Sequence, residues 1–204
     1  MRVIKPSFSF EQEVNGEAML LTIERYGRTC YKSENRITEG SARKFVQSII
    51  KNGHESVLEH EKITVRLICD RGVSHEIVRH RIASYSQEST RYCNYANNSE
   101  ITLIDPFFFD VNSEKRKIWL KAMQESETAY MKLISLGASP QEARSVLPNS
   151  LKTEIIITMN LREWRHFFKL RTASAAHPQM IEVARLMLDE FKTKVPVVFD
   201  DIKY

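Results

Sequence analysis

A helix-rich α+β fold with a small antiparallel sheet is what this chain predicts, and three observations carry that prediction. Lys62 to Asp70 alternates, with Ile63, Val65, Leu67 and Cys69 on one face and Lys62, Thr64 and Arg66 on the other, the period of a half-buried strand. Thr153 to Met159 is β-branched through Ile155, Ile156 and Ile157 and reads as a second strand. Most of the remaining chain carries apolar residues at helical spacing between recognisable start and stop signals. At 204 residues, with 42% hydrophobic and 27% charged residues, the sequence fits one domain over residues 1–204 that buries its own core.

The elements follow in order. Gly16 to about Tyr31 is a helix with Ala18, Leu21 and Ile23 among its apolar positions. A second helix runs through Ala42, Phe45, Val46, Ile49 and Ile50, with Ser41 as its cap and Gly53 as the C′ residue that ends it. After the first strand, a short helix from about Val73 to Ile82 leads into a polar loop. Pro106 and Phe107 to Phe109 mark an irregular, buried connection. Asn112 to Leu136 is a long helix stopped by Gly137, and Ser139-Pro140-Gln141-Glu142 starts another with proline at N1. Asn160 caps a helix from Leu161 to about Leu170, and the last helix spans Pro178 to about Lys194, closed by Pro196.

Composition excludes several classes. The three cysteines, Cys30, Cys69 and Cys93, form no Cys-x-x-Cys pair, so neither a disulfide framework nor a thiolate zinc site is expected. The same cysteine usage fits a reducing cytoplasm; no apolar run reaches the length of a membrane helix and Met1 to Phe10 has no signal-peptide core, so no membrane partner is expected. The net charge of +4 suits small anions and is too weak to argue for nucleic acid. Six glycines, at 16, 27, 40, 53, 72 and 137, build neither a Gly-x-Gly-x-x-Gly turn nor a Walker loop. Any phosphate bound here has to be held by arginine.

Arg79-His80-Arg81-Ile82-Ala83-Ser84-Tyr85-Ser86-Gln87-Glu88-Ser89-Thr90-Arg91 is the stretch that speaks to function. Its arginines are charge-assisted donors for phosphate oxygens, and its hydroxyls and amide can hold a polar heterocycle. The plain alternative is a basic helix end running into a solvated loop. Ser89 lacks a Gly-x-Ser-x-Gly elbow and an identifiable base, so hydrogen bonding is a better role for it than nucleophilic attack. Cys93 reads as a small, incidental thiol. His54 and His60 with Glu55 and Glu59 do not have His-Glu-x-x-His spacing, and no metal is expected.

The pattern Arg79-His80-Arg81-x-x-Ser84-x-x-x-x-Ser89-x-Arg91 resembles the signature of the flavin-dependent thymidylate synthases. Three further elements resemble that family in its own order: Asn52-Gly53-His54-Glu55-Ser56-x-x-Glu59-His60, Ala143-Arg144-x-x-Leu147-Pro148, and Asn160-x-Arg162 through Leu170-Arg171. The matching elements span roughly residues 45 to 190. The resemblance implies conversion of deoxyuridine monophosphate (dUMP) to thymidine monophosphate, with methylenetetrahydrofolate as one-carbon donor, FAD reduced by NADPH as hydride source, and no enzyme cysteine nucleophile. It also implies a homotetramer with active sites shared between subunits.

Residue by residue, the resemblance makes Arg171 the catalytic arginine that polarises the pyrimidine. It places Glu76, Arg79, Gln87, Glu88, Ser89, Thr90, Arg91, Arg144 and Arg171 at the nucleotide. It places His54, Ser56, Arg79, His80, Arg81, Gln87, Asn160, Arg162 and His166 at FAD. The chain departs from some relatives at His166, where they carry asparagine, and at Ser86-Gln87, where they carry Asn-Glu. Arg162 and His166 fall on one helix face at i,i+4, with Leu161, Trp164 and Phe168 on a packing face. His177, before Pro178, suits a helix cap as well as a ligand contact. Two rivals remain: a basic protein that binds polynucleotide with steep salt dependence, and a silent relative that only binds nucleotide or flavin.

Overall fold

The computed structural model describes residues 1–204. In chain order the elements are β1 (Arg2–Ile4), β2 (Ser7–Phe10), α1 (Gly16–Thr29), α2 (Ser41–Lys51), β3 (Lys62–Asp70), α3 (Arg71–Ile77), β4 (Ala83–Gln87), β5 (Thr102–Ile104), α4 (Glu114–Ser135), α5 (Pro140–Ala143), β6 (Lys152–Asn160), α6 (Leu161–Arg171) and α7 (Pro178–Lys194). One four-stranded sheet has the order β2-β3-β6-β4, and a separate two-stranded sheet pairs β1 with β5 in parallel. β3 and β6 run antiparallel: Thr64 meets Thr158 at 2.9 Å between hydroxyls, and the Leu161 amide reaches the Glu61 carbonyl where the strands end.

The two central strands are built alike. β3 buries Ile63, Val65, Leu67 and Cys69, and β6 buries Thr153, Ile155, Ile157 and Met159. Each strand ends on a short acceptor that caps the helix following it. Asp70 Oδ1 takes the Val73 amide at 2.7 Å, and Asn160 Oδ1 takes the Glu163 amide at 2.8 Å. A cap of this kind contributes about 1 kcal/mol and fixes where the helix starts. This is how the sequence sets the direction of α3, which leads into the arginine-rich stretch, and of α6, which carries Arg162, His166 and Arg171.

Contacts divide the chain into two compact units, each assembled from separated segments. The first comprises Met1–Ser7, Leu67–Arg79 and Ser86–Ile156, and the second Phe8–Arg66, His80–Tyr85 and Ile157–Tyr204. Ile101, Leu103, Met123 and Leu151 form a core cluster in the first, with Trp119 and Leu147 packed against it. The second is centred on aromatic rings. Trp164 stacks on Phe168, and both meet Phe191 of α7, which meets Phe199 beyond it. The predicted packing face of α6 is thus the one buried, and Arg162 and His166 are exposed on another face.

Several expectations change. Gly40, with φ 74, is the residue before α2, and Ser41 lies inside the helix, where its hydroxyl donates to Glu24. α3 stops at Ile77 instead of reaching Ile82, and the polar stretch expected to be a loop forms β4 from Ala83 to Gln87. The connection at Phe107 to Phe109 is irregular, but Phe107 and Phe108 are exposed where burial was expected. The helix opened by Pro140 lasts only four residues, behind a capping box of Ser139 and Glu142.

Candidate functional site

The residues singled out by the signature sort onto the two units. Glu76, Arg79, Gln87, Glu88, Ser89, Thr90, Arg91 and Arg144 lie on the first, and His54, Ser56, His80, Arg81, Asn160, Arg162, His166 and Arg171 on the second. The expected nucleotide set, Arg171 apart, is therefore on one unit. The expected flavin set is on the other, save Arg79 and Gln87.

On the first unit the turn after β4 gathers its polar groups. The Arg91 amide donates to Ser89 Oγ at 3.3 Å. Arg144, more than fifty residues away in sequence, donates to Thr90 Oγ1 at 3.4 Å, which brings two expected nucleotide arginines to one turn. Behind them, Gln87 Nε2 donates to Ser74 Oγ at 2.9 Å and to Thr153 Oγ1 at 3.1 Å. The Gln87 amide is thus part of the support of the turn. Glu88 faces inward as well: Tyr95 donates to one carboxylate oxygen at 2.8 Å and Lys152 to the other at 2.7 Å. Burial and the Glu88 carboxylate together push the Tyr95 phenol far above its ordinary range.

The arginines differ in their partners. Arg28, Arg43, Arg66, Arg116, Arg162 and Arg165 each pair with a carboxylate. Arg79, Arg81, Arg91 and Arg144 are exposed and pair with none. The Arg79 side chain, just beyond α3, donates to the His75 carbonyl at 3.3 Å, and the Arg91 guanidinium lies over Tyr92, 5.4 Å from its ring centre. The charge of the signature is left open to an anion.

On the second unit, His80 is buried and both of its ring nitrogens are engaged. Nδ1 lies 2.9 Å from Glu163 Oε1, and Nε2 accepts from Arg171 Nε at 3.1 Å. His166 and Phe167 pack edge-on against the ring, at 5.4 and 5.1 Å between centres, and the Tyr85 hydroxyl donates to the His80 carbonyl at 2.7 Å. Burial, the dominant influence, lowers the His80 pKa below 6.5. The Glu163 carboxylate opposes the shift, while Arg171 and His166 add to it. Burial also pushes the Tyr85 phenol up to about 12. The ligand atoms of His80, Glu163 and His166 lie within 4.8 Å of one another, a metal-like grouping. The Arg171 donor, however, occupies the Nε2 lone pair and brings a positive charge, which disfavours a cation there.

His54 and Ser56 line a cleft of about 370 Å³ with Tyr31, Phe45 and Ile49, a wall suited to a planar ring. Glu55, between them, turns inward to Arg165, which is buried and also holds Asp201 and the Val198 carbonyl. Sequence reasoning missed both Glu163 and Arg165. The signal for Arg165 is its position four residues after Leu161 and three before Phe168, on the apolar stripe. The signal for Glu163 is its place three residues after the Asn160 cap. Asn160 spends its side-chain oxygen on that cap, Arg162 donates to Glu59 at 2.5 Å, and His177 accepts from the Gln179 amide as a cap. With Glu55 and Glu59 each taken by an arginine, the four residues His54, Glu55, Glu59 and His60 do not assemble a metal site.

Fold and site together define a helix-rich α+β protein that presents arginines without carboxylate partners and a buried histidine bonded to an arginine, in place of a glycine-rich phosphate loop. Residues 17–197 match the family model Thy1, thymidylate synthase complementing protein. Flavin-dependent thymidylate synthases are among the similar proteins. That of Pyrococcus furiosus is 39% identical over 183 residues, covering 89% of this chain and 73% of the relative. That of Geobacter sulfurreducens is 36% identical over 181 residues, covering 85% and 78%. The crystal structure of the UMP/dUMP methylase PolB from Streptomyces cacaoi, bound with 5-Br dUMP, shares the fold with a TM-score of 0.82 at 21% identity, covering 98% of this chain and 96% of that one. The chain belongs to the flavin-dependent thymidylate synthase family.

Proposed function

We propose that this chain, as one domain over residues 1–204, methylates dUMP to thymidine monophosphate, taking the carbon from methylenetetrahydrofolate and using FAD reduced by NADPH. The observation that carries the reading is the set of signature arginines left without carboxylate partners; on the second unit, Arg171 is held by a buried neutral histidine. On the first unit, Arg91 and Arg144 hold the nucleotide phosphate, with Arg79, Ser89 and Thr90 adding donors and Glu76 at the base. Gln87 and Glu88 support that turn from behind. Arg171 lies beside N3 and the adjacent carbonyl of the pyrimidine and stabilises the negative charge that develops there as carbon 5 becomes nucleophilic.

The residues also fit a flavin. Arg81 carries no carboxylate partner and suits a diphosphate, and the Tyr31–Phe45 wall beside His54 and Ser56 suits part of a ring system. His80, Asn160, Arg162 and His166 complete the set that would hold FAD. Bound FAD supplies the hydride. A homotetramer, with sites shared between copies, accounts for so large a set of ligands on so short a chain, and a cytoplasmic setting suits free thiols and NADPH.

Release of tritium from 5-tritiated dUMP tests the reading. It is expected to require FAD, NADPH and methylenetetrahydrofolate, and to fall by about 10²- to 10³-fold in Arg171→Ala, the usual effect of removing one donor aimed at developing charge. Folded, flavin-loaded protein that releases no tritium would overturn the reading.

A further inference from the structure

We infer that Glu163 is a positioning residue of the reaction: through His80 it sets the imidazole tautomer that holds Arg171. Glu163 is not among the residues that the family resemblance assigns to nucleotide or flavin. The inference rests on the role proposed above for Arg171, but its geometric half stands alone.

A guanidinium nitrogen only donates. Arg171 Nε lies 3.1 Å from His80 Nε2, so Nε2 must present a lone pair. The ring proton is then on Nδ1, which donates to Glu163 Oε1 at 2.9 Å. The other tautomer fails at both ends, setting an N–H against the Arg171 N–H and a lone pair against a carboxylate. Protonated His80 fails at the Arg171 end only. Each partner of the ring therefore selects the same form, and Glu163 is the one that the protein holds rigidly. It sits at the third position of α6, its amide bound to the Asn160 cap, and its side chain is almost fully buried. The ring has little freedom to escape, being buried between His166 and Phe167 with its own carbonyl held by Tyr85.

The groups that face His80 are therefore Glu163, His166 and Arg171 of α6 and the Tyr85 phenol of β4. The one carboxylate among them, Glu163, is the group that raises His80's affinity for a proton, and its removal lowers that affinity. Burial already keeps the imidazole neutral near pH 7, the form that accepts from Arg171.

Two measurements test this. In protein labelled with nitrogen-15 at histidine, the His80 signals, identified by their loss in His80→Asn, are expected to show a protonated Nδ1 and an unprotonated Nε2 at pH 7.5. A protonated Nε2 would overturn the inference, whether or not the protein turns over dUMP. In the tritium assay, Glu163→Ala is expected to lower kcat by about 10- to 100-fold, the range associated with a misplaced catalytic group. Glu163→Gln, whose amide oxygen can still accept from Nδ1–H, is expected to stay within about threefold of the parent, with its acid limb moved to lower pH. Wild-type kcat in folded, flavin-loaded Glu163→Ala would sink the positioning role. Should Glu163→Ala not fold, the nitrogen shifts of the parent and the pH profile of Glu163→Gln still decide the matter; an unmoved acid limb would count against it. If Arg171→Ala retains full activity while the Nδ1–H form is found, it is the proposed role of Arg171 that fails, and the tautomer lock stands.

Discussion

Replacing Arg165 by methionine keeps most of the side-chain volume and removes the charge. In the native protein this side chain is 1% exposed, against 19% for Glu55 and 47% for Asp201, the two carboxylates it joins. Its Nη2 lies 3.0 Å from Glu55 and 2.8 Å from Asp201, and its Nη1 also serves the buried Val198 carbonyl. Removing one partner of a buried pair costs about 3–5 kcal/mol. Asp201 is half exposed and regains water, which places the cost at the low end, about 3 kcal/mol. For a chain of this size that lowers Tm by about 6–12 °C, measured by calorimetry at matched protein concentration. The acid side gives a second reading. The hydrogen bond from Arg165 holds the Asp201 carboxyl below its ordinary value of 3.8. A depressed folded pKa means that the stabilisation is present above about pH 4 and is lost as pH falls through the folded value. Arg165→Met abolishes that part of the acid slope. A variant with Tm within about 2 °C of the parent and an unchanged acid slope would refute the assignment of this cluster as a major tie in its unit.

Two other substitutions test the fold and the division of roles. A Cβ on Gly16 would lie 2.1 Å from the Lys194 carbonyl oxygen and 2.9 Å from Val195 Cα, so Gly16→Ala is expected to cost about 1–3 kcal/mol in urea unfolding, and neutrality would show that the end of α7 yields easily. Glu88→Gln is expected to lower stability by about 1–2 kcal/mol by weakening the contacts to Lys152 and Tyr95 while leaving the KM for dUMP within about twofold; a tenfold rise in KM would return Glu88 to the nucleotide.

What was legible in the sequence follows the reach of the forces involved. β3, α6 and α7 came out with nearly their full bounds because alternation, caps and proline are written in consecutive residues. β1 and β5, three residues each, and β4, rich in serine and glutamine, carry no such pattern: they are strands because partners pair with them. The same limit applies to the site. The signature located the arginines, but the inward turn of Glu88 depends on Tyr95, beyond the signature, and on Lys152, far from it in sequence. Arg165 sits between Trp164 and His166 and reads as a surface cation unless its place on the apolar stripe is given more weight than its charge.

The distribution of paired and unpaired arginines also bears on the polynucleotide alternative. A net charge of +4 is modest, and on the first unit Arg144 reaches Thr90 in the turn that also carries Ser89 and Arg91. Behind that turn Gln87 bonds Ser74 and Thr153, which supports its backbone. A strand of nucleic acid is held by charges spread along its backbone, each contributing a share of the salt dependence. Two arginines brought to one turn instead suit a single compact dianion such as the terminal phosphate of a mononucleotide.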